Sequence, residues 1–238
     1  MTAIAIIPAR GGSKRIPRKN IKTFHGRPMI AYSIRAALDS GLFARVIVST
    51  DDAEIAEVAR AYGAEVPFMR PAALADDHAG TVEVIQHAVG FLCEQGEVFT
   101  YACCLYATAP FVTPEDLARG LELLEEHPDK AYAFTVTDFA SPVQRALRLR
   151  ADGGVESLYP EFYETRSQDL EPAFHDAGQF YWGRTEAWEQ GAPLHAPHSL
   201  PVRLPRHRVQ DIDTLDDWQR AELLYEALLT DVERSCTS

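Results

Sequence analysis

The chain has 238 residues, which is long enough for one large α/β domain and does not require a second. Its formal net charge of −12 argues against a general nucleic-acid binder, because such binding needs an extended basic surface. Hydrophobic residues make up 46% and charged residues 24% of the chain, a balance that is typical of soluble globular proteins.

The first part of the chain alternates between apolar runs that predict strands and periodic segments that predict helices. Strands are predicted at residues 3–7, 45–49, 65–68, 101–106 and 131–137. Helices are predicted from Pro28, after residues 50–52, over residues 81–94 and from Thr113, where a capping threonine precedes a proline and two acids. This order predicts an α/β fold: a doubly wound, mostly parallel sheet with helices on both faces.

The alternation stops after Thr137. Residues 143–150 and 155–159 flank the sequence Ala-Asp-Gly-Gly at 151–154, which favours a β-hairpin. Residues 161–176 are polar and irregular, residues 178–183 have strand character again, and residues 214–229 predict a closing amphipathic helix. We therefore expect one domain over residues 1–238, with residues 138–176 as an inserted excursion.

The segment between the first predicted strand and the first predicted helix is strongly cationic. The Gly11-Gly12 pair lets the backbone approach a ligand closely, and Ser13 with the free amide groups can hydrogen-bond anionic oxygens. The first acid of the chain is Asp39, so the cations are segregated from carboxylates. The counter-charge for an anion would come from Arg10, Lys14, Arg15, Arg18, Lys19 and Lys22.

This pattern favours a loop that binds a polyphosphate, the alternative being a solvated basic loop. Neither the G-x-x-x-x-G-K-[ST] spacing nor the G-x-G-x-x-G spacing occurs in it. The usual ATPase and dehydrogenase interpretations therefore lose their main support.

Two acids near the end of the chain are candidate metal ligands. Asp211 and Asp213 flank Ile212, and in an extended segment both carboxylates face the same side. Hard carboxylate oxygens next to phosphate suit Mg²⁺. The alternative is acidic capping of the last helix, which fits the neighbouring Asp216 and Asp217.

Other chemistry-bearing residues give weaker signals. The eight histidines show no metal spacing, and the segments Met69-Arg70-Pro71 and Asp76-Asp77-His78 are interpreted as loops. The four cysteines form no C-x-x-C pair and are interpreted as buried free thiols in a reducing compartment. The first apolar stretch is too short for a signal peptide or a membrane span, so we expect a cytoplasmic protein with no membrane partner.

Four segments together resemble the CMP-sialic acid synthetase family, the cytidylyltransferases that activate nonulosonic acids. They are IPARGGSK at residues 7–14 with Lys19-Asn20, STDD at 49–52, YATAPF at 106–111 and IDT at 212–214. The resemblance implies that CTP and a 2-keto acid sugar react to give a CMP-sugar and pyrophosphate, with Mg²⁺. It also implies a doubly wound fold, a homodimer and a single nucleotidyltransferase domain.

The resemblance also implies roles for individual residues. Arg10, Lys14 and Lys19 match the phosphate-contacting catalytic residues, and Asp211 and Asp213 match the metal ligands. The nucleotide is expected at Ala9, Arg10, Gly11, Gly12, Ser13, Asn20 and Thr81, and the sugar at Tyr106, Thr108, Arg166 and Gln179. Arg166 is expected near the carboxylate of the sugar acid.

Departures from the usual sialic acid pattern indicate the sugar. YATAPF replaces QPTSPLR after the central strand, and AGQFY at residues 177–181 replaces NGAIY. Both changes are similar to the branch that activates pseudaminic acid, which is the sugar we expect. Legionaminic, N-acetylneuraminic and 3-deoxy-octulosonic acids remain alternatives, as does a non-catalytic nucleotide-binding domain.

Overall fold

The computed structural model describes residues 2–75 and 80–236, with side chains as far as residue 230. A six-stranded sheet forms its centre, made of β1 (Ala3–Pro8), β4 (Arg45–Ser49), β5 (Tyr101–Leu105), β6 (Tyr132–Asp138), β9 (Phe174–Arg184) and β10 (Ser199–Arg203). Their order across the sheet is β10-β6-β9-β5-β1-β4, and only β9 runs antiparallel to its neighbours. Short pairs are formed by β2 (Thr23–Phe24) with β3 (Arg27–Pro28), and by β7 (Leu147–Leu149) with β8 (Val155–Ser157).

Helices cover both faces of this sheet, which confirms the predicted fold class. The helices are α1 (Met29–Ser40), α2 (Ala53–Ala61), α3 (Thr81–Glu94), α4 (Pro114–Glu126), α5 (Thr185–Glu189) and α6 (Leu215–Cys236). One core cluster joins the sheet to α1, α2 and α4, and a second joins it to α3 and α5. Strands that are buried on both faces need continuous apolar runs, as in Ala3–Pro8. No helix in residues 2–75 or 80–236 is long and apolar enough to span a membrane.

Capping residues explain where the helices begin. The Asp52 carboxylate accepts a hydrogen bond from the amide of Ile55 at the start of α2. Thr113 caps α4 and Pro114 lies in its first turn, as the sequence predicted, and the Asp116 side chain completes a reciprocal capping box with Thr113. Both caps lie at the carboxyl edge of the sheet, where ligands bind in folds of this class.

Three predicted features differ in the structure. Residues 65–68 form no strand, and only Glu65 makes a bridge to β4, because Pro67 has no N–H to extend the ladder. The predicted hairpin is shorter than expected, since the residues after Pro142 form a 3₁₀ turn at Val143–Arg145. Cys103 and Cys104 are buried free thiols as predicted, whereas Cys93 is exposed. The predicted loop at Asp76-Asp77-His78 lies outside the described residues.

The excursion is one long connection between adjacent antiparallel strands. Its base is closed by the pairing of Asp138 in β6 with Phe174 in β9. It carries the β7–β8 hairpin and three 3₁₀ turns, at Val143–Arg145, Pro160–Phe162 and Ser167–Asp169. Because β9 already begins at Phe174, the irregular stretch is slightly shorter than residues 138–176.

The last helix brings the chain's end back to the cationic loop. Trp218 of α6 packs edge-to-face on Phe24, at 5.5 Å between ring centroids, and Lys22 lies over the Trp218 ring. Ile212 is fully buried in the same cluster, beside Ile16 and Phe111. The prediction that Ile212 turns away from the two flanking aspartates is therefore confirmed.

Candidate active site

A cavity of about 360 Å³ opens at the carboxyl edge of the sheet, between the cationic loop and the segment that precedes α6. It brings together residues from distant parts of the sequence, from Pro8 to Asp213. The predicted site residues that line it are Arg10, Ser13, Lys14, Lys19, Asn20, Thr81, Tyr106, Thr108, Asp211 and Asp213. The cations of the loop and the two aspartates, which the sequence suggested as partners, therefore line the same cavity.

The cationic loop is anchored to the turn after β4. The Gly11 amide donates to Asp51 Oδ1 at 2.9 Å, and the Asn20 side chain donates to the Arg10 carbonyl at 2.9 Å. Arg18 forms a bidentate pair with Asp52 and holds the pKa of that carboxyl at about 2. These contacts fix the loop before any ligand enters, which is the condition for preorganised binding of an anion.

Gly11 provides a test of this anchoring. A Cβ added at Gly11 would lie 2.6 Å from Asp52 Oδ2, so Gly11→Ala forces the loop away from its anchor. We expect weaker CTP binding, measured by calorimetry, together with a lower melting temperature. Gly12→Ala is the matched stability control, because a Cβ at Gly12 meets no atom within 4 Å. Equal melting temperatures for the two variants would contradict this account of the loop.

Asp211 and Asp213 have different surroundings within the cavity. Asp213 lies 2.8 Å from an Arg15 nitrogen and 3.4 Å from Lys19 Nζ, whereas Asp211 makes no ion pair within the described residues. Desolvation and the neighbouring charge of Asp213 raise the pKa of Asp211. A divalent cation would relieve both effects, so the donor set fits Mg²⁺.

The protein supplies few ligands for such an ion. Among the described residues, no group of three or more His, Cys, Asp or Glu side chains is placed to hold a metal. Two carboxylates leave most of an octahedral shell for oxygens of water and of a bound phosphate. This is the pattern expected where a metal is held jointly by protein and nucleotide.

Arg70 is a cavity residue that the sequence analysis missed. It is only 7% exposed, and its guanidinium donates to the carbonyl and the hydroxyl of Ser49. Burial lowers the pKa of Arg70, and the charge of Asp51 opposes this shift. It lines the cavity beside Leu74 and Val84. Its position just beyond the predicted strand 65–68 was a usable signal, because ligands bind past the carboxyl ends of such strands.

Tyr106, which follows β5, bounds the cavity, and Tyr181 of β9 lies behind it; we call this pair the cavity wall. Tyr106 hydrogen-bonds Thr81 at 3.0 Å, and its ring lies 5.4 Å from that of Tyr181. Tyr181 donates to Asp176 at 2.7 Å, and His195 approaches the same carboxylate at 3.1 Å. Burial raises the pKa of both tyrosines, so their hydroxyls stay protonated at neutral pH.

Five predicted residues do not line the cavity. Ala9, Gly11 and Gly12 belong to the loop itself and shape its backbone. Gln179 is buried, and its side chain donates to the carbonyl of Arg208. Arg166 is exposed and pairs with Asp169 within the excursion. The roles given to these residues by the resemblance stay predictions.

A family model and the sequences of known proteins were compared with this chain, and they point to the same family. A family model described as cytidylyltransferase matches residues 4–149. The pseudaminic acid cytidylyltransferase of Campylobacter jejuni is 46% identical over 95% of this chain and 97% of its own length. The CMP-N,N'-diacetyllegionaminic acid synthase of Legionella pneumophila is 30% identical over 95% of this chain and 97% of its own length.

A solved structure shows the same fold at lower sequence similarity. The CMP:2-keto-3-deoxy-manno-octonic acid synthetase complexed with CTP superposes with a TM-score of 0.70 at 18% identity, covering 95% of this chain and 99% of that one. Because the family model matches more than half of the sequence and the relatives align along nearly all of it, this chain belongs to the cytidylyltransferase family.

Proposed function

We propose that this enzyme transfers CMP from CTP to pseudaminic acid, giving the CMP-sugar and pyrophosphate. The observation that carries the proposal is the single cavity in which Arg10, Lys14 and Lys19 face Asp211 and Asp213. A triphosphate needs such cations, and a nucleotidyl transfer needs charge neutralisation on both sides of the reacting phosphorus. The 46% identity to the Campylobacter pseudaminic acid enzyme supports the choice of sugar.

The reaction requires no covalent enzyme intermediate. The anomeric hydroxyl of the sugar attacks the α-phosphorus of CTP and loses its proton to solvent, a new P–O bond forms, and the bond to pyrophosphate breaks in line with it. Arg10, Lys14 and Lys19 hold the triphosphate and stabilise the charge that moves onto pyrophosphate. Mg²⁺ held by Asp211 and Asp213 would supply positive charge at the phosphate oxygens and lower the pKa of a bound hydroxyl.

The wall formed by Tyr106 and Tyr181 supports a sugar with several polar substituents. Tyr106 reaches the cavity, while Tyr181 and Asp176 continue the hydrogen-bonded row behind it. Tyr106 stands where the usual sialic acid pattern has glutamine, whereas Tyr181 is common to both patterns. We infer that Tyr106, supported from behind by Tyr181, contributes to the choice between pseudaminic acid and its relatives.

The proposal is tested by incubating the protein with CTP, Mg²⁺ and a panel of sugars, and measuring pyrophosphate release. The panel contains pseudaminic, legionaminic, N-acetylneuraminic and 3-deoxy-octulosonic acids. We expect the highest kcat/KM with pseudaminic acid and no release without a sugar. Preference for another member of the panel would replace the sugar but keep the chemistry. Absence of release with all four would favour a non-catalytic nucleotide-binding protein.

We further propose a cytoplasmic homodimer in which the excursion, residues 138–176, covers part of the partner's cavity. Its apolar side chains are unusually exposed: Leu149 is 80% exposed, Tyr163 75% and Leu147 61%. A monomer rarely leaves such a group uncovered, so a second copy is a suitable partner. The buried free thiols Cys103 and Cys104 are consistent with a reducing compartment.

Arg166 gives a test of the excursion. Its guanidinium is exposed in the single chain, so it can reach a sugar carboxylate across a subunit interface. The planar fork binds a carboxylate at two points and lysine cannot. We expect Arg166→Lys to raise the KM of the sugar far more than the KM of CTP.

The control for this experiment is Arg119→Lys, an exposed arginine on α4 that pairs with Glu122. It should leave both KM values near those of the wild type. Light scattering on the same samples should give the mass of a dimer. A monomer at working concentration, or an Arg166→Lys defect confined to CTP, would show that the excursion has another role.

A further inference from the structure

The segment that carries the two candidate metal ligands has no regular secondary structure. It runs from the 3₁₀ turn Arg206–Arg208 to the start of α6 at Leu215. A segment without helix or sheet hydrogen bonds keeps its geometry only through ties to its neighbours. Asp211 and Asp213 can hold a metal at a defined position only if the hydrogen bonds and ion pairs to these neighbours are strong.

The downstream end of this segment is tied to α6. Asp217 in the first turn accepts hydrogen bonds from the amides of Asp213 and Thr214, at 3.2 and 2.8 Å. It also accepts one from the Thr214 hydroxyl at 2.8 Å. This is a helix-capping arrangement. It fixes the conformation of the segment at its downstream end, but not at its upstream end.

The upstream end is tied to α4 by a bidentate ion pair. The Arg208 guanidinium donates to both oxygens of Asp116, at 2.6 and 2.9 Å. The two side chains are only 22% and 11% exposed. Asp116 is fixed in turn by the capping box with Thr113. A two-point contact of this kind sets direction as well as distance, which a single hydrogen bond does not.

A buried glutamine completes the upstream tie. Gln179 of β9 is 3% exposed, and its Nε2 donates to the carbonyl of Arg208 at 2.6 Å. Its Oε1 is buried without a partner among the described residues. Rotating the amide would face Oε1 to a carbonyl oxygen, so the donor can point only at Arg208. The Gln179 carbonyl meanwhile accepts from the amide of Tyr106 at 2.9 Å, beside the cavity wall.

The Nε2 donor is the group that an apolar residue at this buried position could not supply. The only donor contact of that amide within the described chain is to the backbone of Arg208, three residues before Asp211. The side chain thus acts on the metal-binding segment and does not line the cavity itself.

We propose that Gln179 and the Arg208–Asp116 pair are positioning residues that hold Asp211 and Asp213 in place for the divalent metal. This inference rests on the proposed function, since it concerns the same metal. It gives Gln179 a role through the main chain of Arg208, in place of the sugar contact that the resemblance implied.

The test is Gln179→Met, which keeps the length of the side chain and removes the donor. Mn²⁺ binding in the presence of CTP and without sugar is followed by electron paramagnetic resonance, so that no turnover is needed. Loss of a residue that orients metal ligands is expected to weaken Mn²⁺ binding about 10- to 100-fold. The melting temperature should change little, because the variant keeps the length of the buried side chain and removes only one side-chain hydrogen bond among the described residues.

Gln144→Met is the matched control for metal binding. Gln144 also donates from Nε2 to a carbonyl, that of Glu171 at 3.0 Å, and also has a buried Oε1 without a partner in the described chain. It lies in the excursion, far along the chain from the aspartates, so Mn²⁺ affinity should stay at the wild-type value. Arg208→Lys should reproduce the Gln179→Met defect, because lysine cannot form the bidentate pair.

Three results would overturn the inference. Unchanged Mn²⁺ affinity in Gln179→Met with a lower melting temperature would mean that the residue is only structural. Unchanged affinity with a raised KM for the sugar alone would mean that Gln179 contacts the sugar. If the wild-type protein bound no Mn²⁺ in the presence of CTP, the proposed metal would be overturned, and the inference with it. This outcome is seen in the wild type, so it is distinguishable from the first two, which are seen only in the variant.

Discussion

Asp211→Asn is expected to remove nearly all turnover while the protein stays as stable as the wild type, or becomes more stable. The pKa of Asp211 is raised in the folded chain by desolvation and by the charge of Asp213. A carboxyl whose pKa is higher in the folded than in the unfolded state destabilises the fold once it is ionised. This cost is present at neutral pH and disappears as the pH falls below the unfolded value. Asparagine removes it.

The catalytic loss has a separate origin. A metal that has lost one of two protein carboxylates no longer neutralises the phosphate charge in place, so we expect kcat/KM to fall by at least about 100-fold. Asp213→Asn should have a similar effect on turnover. Because Asp213 also pairs with Arg15 and Lys19, that variant should not gain stability.

Asp216→Asn is the matched control for both variants. Asp216 lies in the first turn of α6, close in sequence, and does not line the cavity. Its variant should keep turnover near wild type. Steady-state pyrophosphate release and thermal unfolding at pH 7 and at pH 4 give the two readouts. Full activity in Asp211→Asn, or wild-type activity in EDTA, would contradict the metal assignment.

The sequence was sufficient for the architecture because the sheet is buried on both faces. Continuous apolar runs such as Ala3–Pro8 and capping signals such as Thr113-Pro114 are local, and each was interpreted correctly. The strand expected at residues 65–68 was wrong for a local reason as well, the proline at position 67. The direction of β9 was not predicted, since periodicity carries no information on strand orientation.

The candidate site was partly predictable for a related reason. Charge segregation revealed the loop from Arg10 onwards, and the spacing of Asp211 and Asp213 revealed the carboxylates. The structure places these two groups in one cavity. Arg70 was missed because its importance comes from burial and from a partner 21 residues away, Ser49, and the Asp176–Tyr181 contact was missed because it depends on the backbone course of β9. Neither property is visible in local composition.

Lys19→Ala is expected to cause the second large loss of activity. Lys19 is the least exposed cation that borders the two aspartates: its side chain is 19% exposed, and Nζ donates to the Ile212 carbonyl and lies 3.4 Å from Asp213. It therefore links the phosphate loop to the metal-binding segment. Removing one preorganised charged donor should cost about 2–4 kcal/mol of transition-state stabilisation, roughly 30- to 1,000-fold in kcat/KM. Arg10→Ala should fall in the same range.

Lys22→Ala separates this role from the general charge of the loop. Lys22 is three residues away, has the same side chain, and lies 4.1 Å from the centre of the Trp218 ring, not in the cavity lining. Its loss should lower the melting temperature through the lost cation–π contact and leave kcat/KM almost unchanged. If Lys19→Ala and Lys22→Ala lowered kcat/KM equally, the loop would act only through its net charge. A large difference between them would instead trace catalysis to the ammonium group of Lys19, which belongs to the loop and contacts the aspartate segment.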